Sequence, residues 1–111
     1  MDESILVNMI VELRRGTQII SVLSQLEKNQ YGYSLLQSLD GKGVKMEAGT
    51  LYPLLRRLES QGLLSSEWDT TESRPRKYYV LSHDGKQILK QLKEEWKEIV
   101  REMNSLIVED K

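Results

Sequence analysis

The sequence predicts a mainly α-helical α+β fold, in which three helices precede two short strands and a long helix follows them. Apolar residues recur at helical spacing in three stretches before residue 64. Two short runs rich in leucine, tryptophan, tyrosine and valine then flank a polar loop, which is typical of a β-hairpin. The last stretch carries apolar residues in alternating steps of three and four, which indicates a heptad seam.

The helical stretches before the hairpin cover residues 5–28, 32–39 and 49–64. Gly16 and Thr17 interrupt the first weakly, so it predicts either one long helix or two helices with a kink. A glycine-containing turn at residues 40–43 follows the second. The third, GTLYPLLRRLESQGLL, has Gly62 in place for a left-handed C-terminal cap.

Pro53 leaves two possible starts for the third helix. A proline in a helix interior removes a backbone donor at a cost of ~3 kcal/mol, but first-turn donors have no partner within the helix. A helix that begins near Gly49 or Thr50, with Thr50 as N-cap, therefore accommodates Pro53. If the helix begins at Ala48 instead, Pro53 should bend it.

The hairpin and the last helix complete the element order. Strands are predicted at residues 63–68 and 77–81, joined by the loop 69–76. Ser82 is a favourable N-cap for a helix from about His83 to Ile107. Its seam is formed by Leu89, Leu92, Trp96, Ile99, Met103 and Leu106.

The composition narrows the class of protein. A chain of 111 residues favours one domain, and a net charge of -1 excludes an overall positive surface but not local basic patches. No cysteine and one histidine argue against disulfides and structural zinc, so we expect no metal and no cofactor. The acidic start and the lack of a long apolar run predict a cytoplasmic protein without a signal peptide or membrane partner.

Catalysis has little support in the sequence. Ser82, His83 and Asp84 carry the letters of a catalytic triad, but neighbours at a helix start point in different directions. The sequence has no glycine-rich phosphate loop, no metal-spaced cluster and no nucleophile elbow. We therefore expect that the protein is not an enzyme.

The second and third helices have the layout of a helix-turn-helix, whose second helix enters the major groove of DNA. When the leucines of the third helix face the core, the outward set is Gly49, Tyr52, Pro53, Arg56 and Ser60, with Arg57 on the edge. Arg56 or Arg57 can pair with guanine edges or phosphates, and Thr50 and Tyr52 with phosphates. The alternative is an ordinary solvated helix face.

The hairpin loop carries a basic tip. Arg74, Arg76 and Lys77 place three positive charges in four residues with no acid among them. Beside a helix-turn-helix, such a tip is what a wing needs to reach the sugar-phosphate backbone. The sequence thus predicts a winged helix-turn-helix, with a solvated turn as the alternative for the tip.

The seam of the last helix requires a surface to pack on. Either a second subunit covers it, or Leu6, Ile10 and Leu13 of the first helix do. A dimer suits DNA recognition because two recognition helices then match two half-sites. The predicted dimer or ligand interface comprises Leu92, Trp96, Ile99, Val100 and Met103. If the Trp96 rings of two subunits line a gap, they can stack on a flat apolar ligand between them. In the simpler alternative, Trp96 is a core residue.

The combination of TLYPLLRRLE, GLL, Trp68 and RKYY resembles the PadR family of bacterial transcriptional regulators. The resemblance is close over residues 49–85, and the single C-terminal helix is similar to the small subfamily. It implies a winged helix-turn-helix homodimer, joined through its N-terminal and C-terminal helices, that represses transcription at an operator.

The resemblance also assigns residues. Thr50, Tyr52, Pro53 and Arg57 match the recognition-helix pattern, Arg74, Arg76 and Lys77 match the wing, and Trp96 resembles a tryptophan that stacks on planar compounds in some small members. This chain has Ser73 where family wings often have glycine, and Glu47 where a Ser or Asn cap is common. Helical angles favour Arg56 as the base contact, and the resemblance favours Arg57.

We therefore expect a DNA-binding region at residues 1–82 and a C-terminal dimerisation helix at residues 83–111, which form one structural unit. The expected partners are a palindromic double-stranded operator, a second copy of the chain and a small aromatic effector. Two other functions stay open: a winged-helix module that binds proteins, and a ligand sensor without strong DNA binding.

Overall fold

The computed structural model describes residues 2–108 and confirms the mainly helical α+β architecture. The elements in chain order are α1 (Glu3–Arg15), α2 (Gln18–Ser24), β1 (Gln30–Tyr31), α3 (Gly32–Gly41), α4 (Ala48–Ser60), β2 (Leu64–Asp69), β3 (Arg76–Leu81) and α5 (His83–Ile107). The strands form an antiparallel sheet in the order β1-β3-β2. Met1 and residues 109–111, the outer ends of the two predicted regions, lie outside the described residues.

The first predicted helix is two helices. α1 ends before Gly16, and the hydroxyl of Thr17 donates to the Arg14 carbonyl oxygen at 2.8 Å. This local bond competes with the helical pattern and marks the break. The predicted end at Lys28 is wrong, because α2 ends at Ser24 and a two-residue strand follows before α3.

α4 begins with a backbone cap. Its N-cap is Glu47, whose carbonyl accepts from the Thr50 N–H at 2.9 Å, so the prediction of Thr50 as N-cap is wrong. Pro53 consequently lies in the second turn and leaves the Gly49 carbonyl without its usual i+4 donor. The helix continues through Pro53 to its end; the predicted bend there stays a prediction.

α4 ends in a Schellman motif, as the position of Gly62 predicts. The Leu63 N–H donates to the Leu58 carbonyl at 3.0 Å, and the Gly62 N–H donates to the Glu59 carbonyl at 2.9 Å. Gly62 has φ of 82°, a left-handed conformation that glycine adopts without steric cost. α3 ends in the same way at Gly43, after two more helical residues than predicted.

The core lies between α2, α3, α4, the sheet and the first turns of α5. Its buried residues are Val22, Leu23, Leu26, Leu35, Leu39, Leu51, Leu54, Leu55, Leu58, Leu64, Tyr79, Leu81 and Leu89. The four leucines of α4 are all buried, as their spacing predicts. α1 has no buried residue, and the distal part of α5 extends beyond the core.

Candidate nucleic-acid interface

The outer face of α4 carries every side chain that the sequence assigns to a recognition helix. Thr50, Tyr52, Pro53, Arg56 and Arg57 are all exposed. No ion pair engages either arginine within residues 2–108. Both are therefore available to an anionic partner.

Helical angles separate the two arginines. At about 100° per residue, Gly49, Pro53 and Ser60 form the middle of the exposed face. Glu59 and Tyr52 mark the side of α4 that meets the hairpin. At this spacing Arg56 lies towards that side, and Arg57 lies towards the other. Positions 56 and 57 thus lie on either side of a central strip of small side chains.

The hairpin loop is ordered by its own residues. The hydroxyl and the N–H of Thr71 both donate to one Asp69 carboxylate oxygen, at 2.7 and 3.0 Å. The bond from the Thr71 N–H contributes most, and the bond from its hydroxyl adds to it, so that the pKa of Asp69 lies below its usual value. Arg74 lies at the tip, is exposed, and forms no ion pair with the described residues.

The other two wing cations have partners. The Arg76 guanidinium lies over the Tyr31 ring at 4.6 Å from its centroid, and that ring meets Tyr78 edge-on at 5.4 Å. The Lys77 ammonium is 3.1 Å from a Glu59 carboxylate oxygen, and Lys77 is half-buried. The three cations that the sequence groups together therefore have different surroundings.

A concave surface of about 640 Å³ lies between the start of α3 and the hairpin. Four aromatic residues and the three wing cations contribute to its lining; the aromatic residues are Tyr31, Tyr33, Tyr52 and Trp68. Gly32 permits this arrangement, because a Cβ there would lie 2.4 Å from Cε1 of Tyr52. Sequence reasoning missed Tyr31 and Tyr33; the YGY run at a helix start was the available signal.

A second surface is apolar and belongs to α1 and α5. Leu6, Ile10 and Leu13 are 45%, 43% and 79% exposed, so the alternative in which they bury the seam within one chain is wrong. On α5, Leu92 packs against the core, whereas Trp96, Ile99, Val100 and Met103 remain exposed. A groove of about 290 Å³ beside Trp96 is lined by Lys93 and by Thr17, Ile20, Ser21 and Ser24.

The described residues offer no metal site and no membrane span. Residues 2–108 contain no group of three or more His, Asp or Glu side chains placed to bind a metal ion. None of their helices combines the length and apolarity that crossing a bilayer requires.

The fold and this arrangement can be compared with known proteins. The family described as "Transcriptional regulator PadR-like family" matches residues 19–91. The chain belongs to the PadR family. The predicted resemblance to this family is thereby confirmed, and so is the expectation that the protein is not an enzyme, since the family consists of transcriptional regulators. The recognition-helix and wing assignments stay predictions.

Three similar proteins match most of the chain. A PadR family transcriptional regulator from Eggerthella lenta is 46% identical, with 97% of this chain and 96% of that chain covered and a TM-score of 0.89. A PadR family regulator from Clostridium difficile is 33% identical, with 82% and 98% covered and a TM-score of 0.75. The transcriptional regulator Rv3488 of Mycobacterium tuberculosis is 33% identical over 93 residues, which are 83% of this chain and 87% of that protein.

Proposed function

We propose that this PadR family member is a homodimeric repressor that binds a palindromic operator in the cytoplasm. The observation that carries the proposal is the unpaired arginine face of α4 beside the basic wing. Residues up to 82 form the DNA-binding region, and α5 joins two subunits.

α4 is the recognition helix in this proposal. Its exposed central strip of small residues lets the helix lie close to the floor of the major groove. Arg56 and Arg57 then point towards opposite walls, where guanidinium groups can reach guanine edges or phosphates. Thr50 and Tyr52 near the helix start are placed for phosphate contacts.

The concave surface between α3 and the wing receives the sugar-phosphate backbone. Arg74 supplies an unpaired cation, and the Tyr31 ring holds Arg76 at the surface. The first N–H groups of α3 have no side-chain cap, and such groups at a helix start favour phosphate. Exposed Trp68 adds a flat apolar surface for a sugar.

The dimer follows from the apolar surfaces of α1 and α5. Large exposed apolar surfaces on a small protein mark an interaction site, and a seam with steps of three and four suits a helical partner. α1 offers a second apolar helix whose residues are all exposed. A second copy of the chain supplies both helices and the symmetry of a palindromic site.

Alanine substitution of Arg74 tests the proposed DNA face. We expect the slope of log affinity against log salt to become shallower by about 1.8, because a dimer loses two phosphate contacts at about 0.9 each. Arg57→Ala is expected to weaken operator binding and relax base preference. Lys90→Ala is the control, because Lys90 is an exposed cation on α5, away from the wing.

Gel shifts at several salt concentrations give these slopes. Unchanged affinity and slope in both Arg57→Ala and Arg74→Ala would contradict the proposed face. Salt-independent binding by the unmodified protein would favour a protein-binding module instead.

We also propose that a small hydrophobic or aromatic effector binds beside Trp96 and releases the operator. The groove next to its exposed ring supports this site. Trp68 and Trp96 are the two tryptophans of the chain, so Trp68→Phe isolates the fluorescence of Trp96. We expect planar aromatic compounds to quench Trp68→Phe strongly, whereas the fluorescence that Trp96→Leu retains from Trp68 should not be quenched. Full quenching in Trp96→Leu would contradict the site.

A further inference from the structure

Lys77 has different surroundings from the other cations of the wing. We infer that Lys77, Glu59 and Ser66 form a wing strut, which fixes the hairpin against the recognition helix. In this inference, which rests on the DNA-binding function proposed above, Lys77 is a positioning residue and does not bind phosphate.

One carboxylate joins three elements in the wing strut. Lys77 on β3 donates to Oε1 of Glu59 at 3.1 Å, and the hydroxyl of Ser66 on β2 donates to Oε2. Glu59 lies in the last turn of α4. Both oxygens of the carboxylate are therefore engaged, one by each strand of the hairpin.

This ion pair differs from the others in the described part of the chain. The other three ion pairs each join residues three apart on one helix, with side chains 45–75% exposed. In the Lys77–Glu59 pair the side chains are 29% and 32% exposed, and the two residues lie on separate elements. Lower exposure means weaker screening by salt, so we expect this pair to be less sensitive to salt than the three exposed pairs.

The pKa shifts of Glu59 and Lys77 agree with the hydrogen bonds that these groups form. Hydrogen bonds from Ser66 and then Lys77 hold the pKa of Glu59 below its usual value. The bond to Glu59 raises the pKa of Lys77. Both groups are therefore charged at neutral pH, where the wing strut is complete.

The strut engages the Lys77 ammonium group, although Lys77 contributes to the lining of the concave surface. The ammonium group points to Glu59 on α4. It also lies 5.2 Å from the centroid of the ring of Tyr79, which is a core residue. Arg74 and Arg76 remain as the cations nearer the tip. Loss of the strut should thus loosen the hairpin and weaken binding without removing a phosphate contact.

Two variants and their combination test the inference. Lys77→Met keeps the apolar stem of the side chain, and Glu59→Gln keeps the shape of the carboxylate. We expect each to weaken operator binding about fivefold at every salt concentration, with the slope unchanged, because the slope counts phosphates that are neutralised. The double variant should bind no more weakly than the weaker single variant, because both break one contact.

Arg74→Met is the matched control, because it makes the same kind of change at a cation that we propose to contact phosphate. We expect it to make the slope of log affinity against log salt shallower by about 1.8. Trp68 pairs with Lys77 across the hairpin. In a Trp96→Phe background, Trp68 is the remaining tryptophan, and the decay of its fluorescence anisotropy reports the motion of the hairpin. We expect faster decay in Lys77→Met and in Glu59→Gln. Thermal unfolding identifies folded variants, and Glu59→Gln provides the same test if Lys77→Met does not fold.

The outcomes separate the two proposals. A slope reduced by about 1.8 in Lys77→Met, with unchanged Trp68 motion, would overturn the wing strut and make Lys77 a phosphate contact. An unchanged slope in Arg74→Met would instead contradict the proposed DNA face, and the Trp68 decay would still decide whether the strut exists.

Discussion

Glutamate at both Ile99 and Met103 is expected to separate the dimer and reduce operator affinity by more than about a hundredfold. The two side chains are 39% and 42% exposed and lie one turn apart on the same face of α5. In a dimer they would bury four carboxylates, which is costly without partners. Each monomer then reads one half-site, and the contribution of the second half-site is lost. Light scattering and gel shifts measure the two effects.

The control adds the same charges to the opposite face of α5. Gln87 and Ser105 are exposed and point away from the apolar seam, so Gln87→Glu with Ser105→Glu should remain dimeric. If the Ile99→Glu, Met103→Glu variant stayed dimeric, α5 would not be the dimer interface. If it became monomeric but bound the operator normally, the dimeric reading of the DNA would be wrong.

Gly85→Ala is expected to cause the largest loss of stability, about 3 kcal/mol, because it overfills a rigid contact. A Cβ at position 85 would lie 2.0 Å from the Leu63 carbonyl oxygen and 3.2 Å from Cδ2 of Leu81. The Leu63 oxygen is a backbone atom that accepts from the Ser82 N–H at 3.0 Å, so it cannot move without breaking this bond. The junction between α4, the hairpin and α5 would have to open.

Thermal unfolding at one protein concentration measures this effect, and a loss of about 3 kcal/mol corresponds to a fall in Tm of at least roughly 12 °C. Gly41→Ala is the control: Gly41 is exposed in the last turn of α3, and a Cβ there meets nothing within 4 Å. Alanine should be neutral or slightly stabilising there, because it suits a helix better than glycine. Equal melting temperatures for Gly85→Ala and the unmodified protein would contradict the account of this junction.

Local patterns with a single physical solution were predictable from the sequence. The bounds of α5 agree with the prediction at both ends, because Ser82 caps it through the Gly85 N–H at 2.9 Å and its apolar spacing is regular. The buried face of α4 follows from the spacing of its leucines. The hairpin strands begin and end within one residue of the prediction.

Features that depend on distant residues were not predictable. β1 has two residues, which is too short for an alternating pattern, and it exists because β3 pairs with it. Glu47 caps α4 with its backbone alone, which no side-chain rule detects. Glu59 lies 18 residues from Lys77, so the sequence could group Lys77 with the tip arginines but could not show its ion pair.

Selection of operator sequences from a pool of random duplexes tests the proposed recognition of a palindrome by a dimer. We expect enrichment of a palindrome whose half-sites are about 10 base pairs apart, centre to centre, or separated by a multiple of one helical turn. Binding to the selected duplex should weaken steeply as salt rises. The absence of any enriched duplex, or enrichment of a single half-site without a symmetric partner, would contradict a dimer that reads DNA through two copies of α4 and the wing.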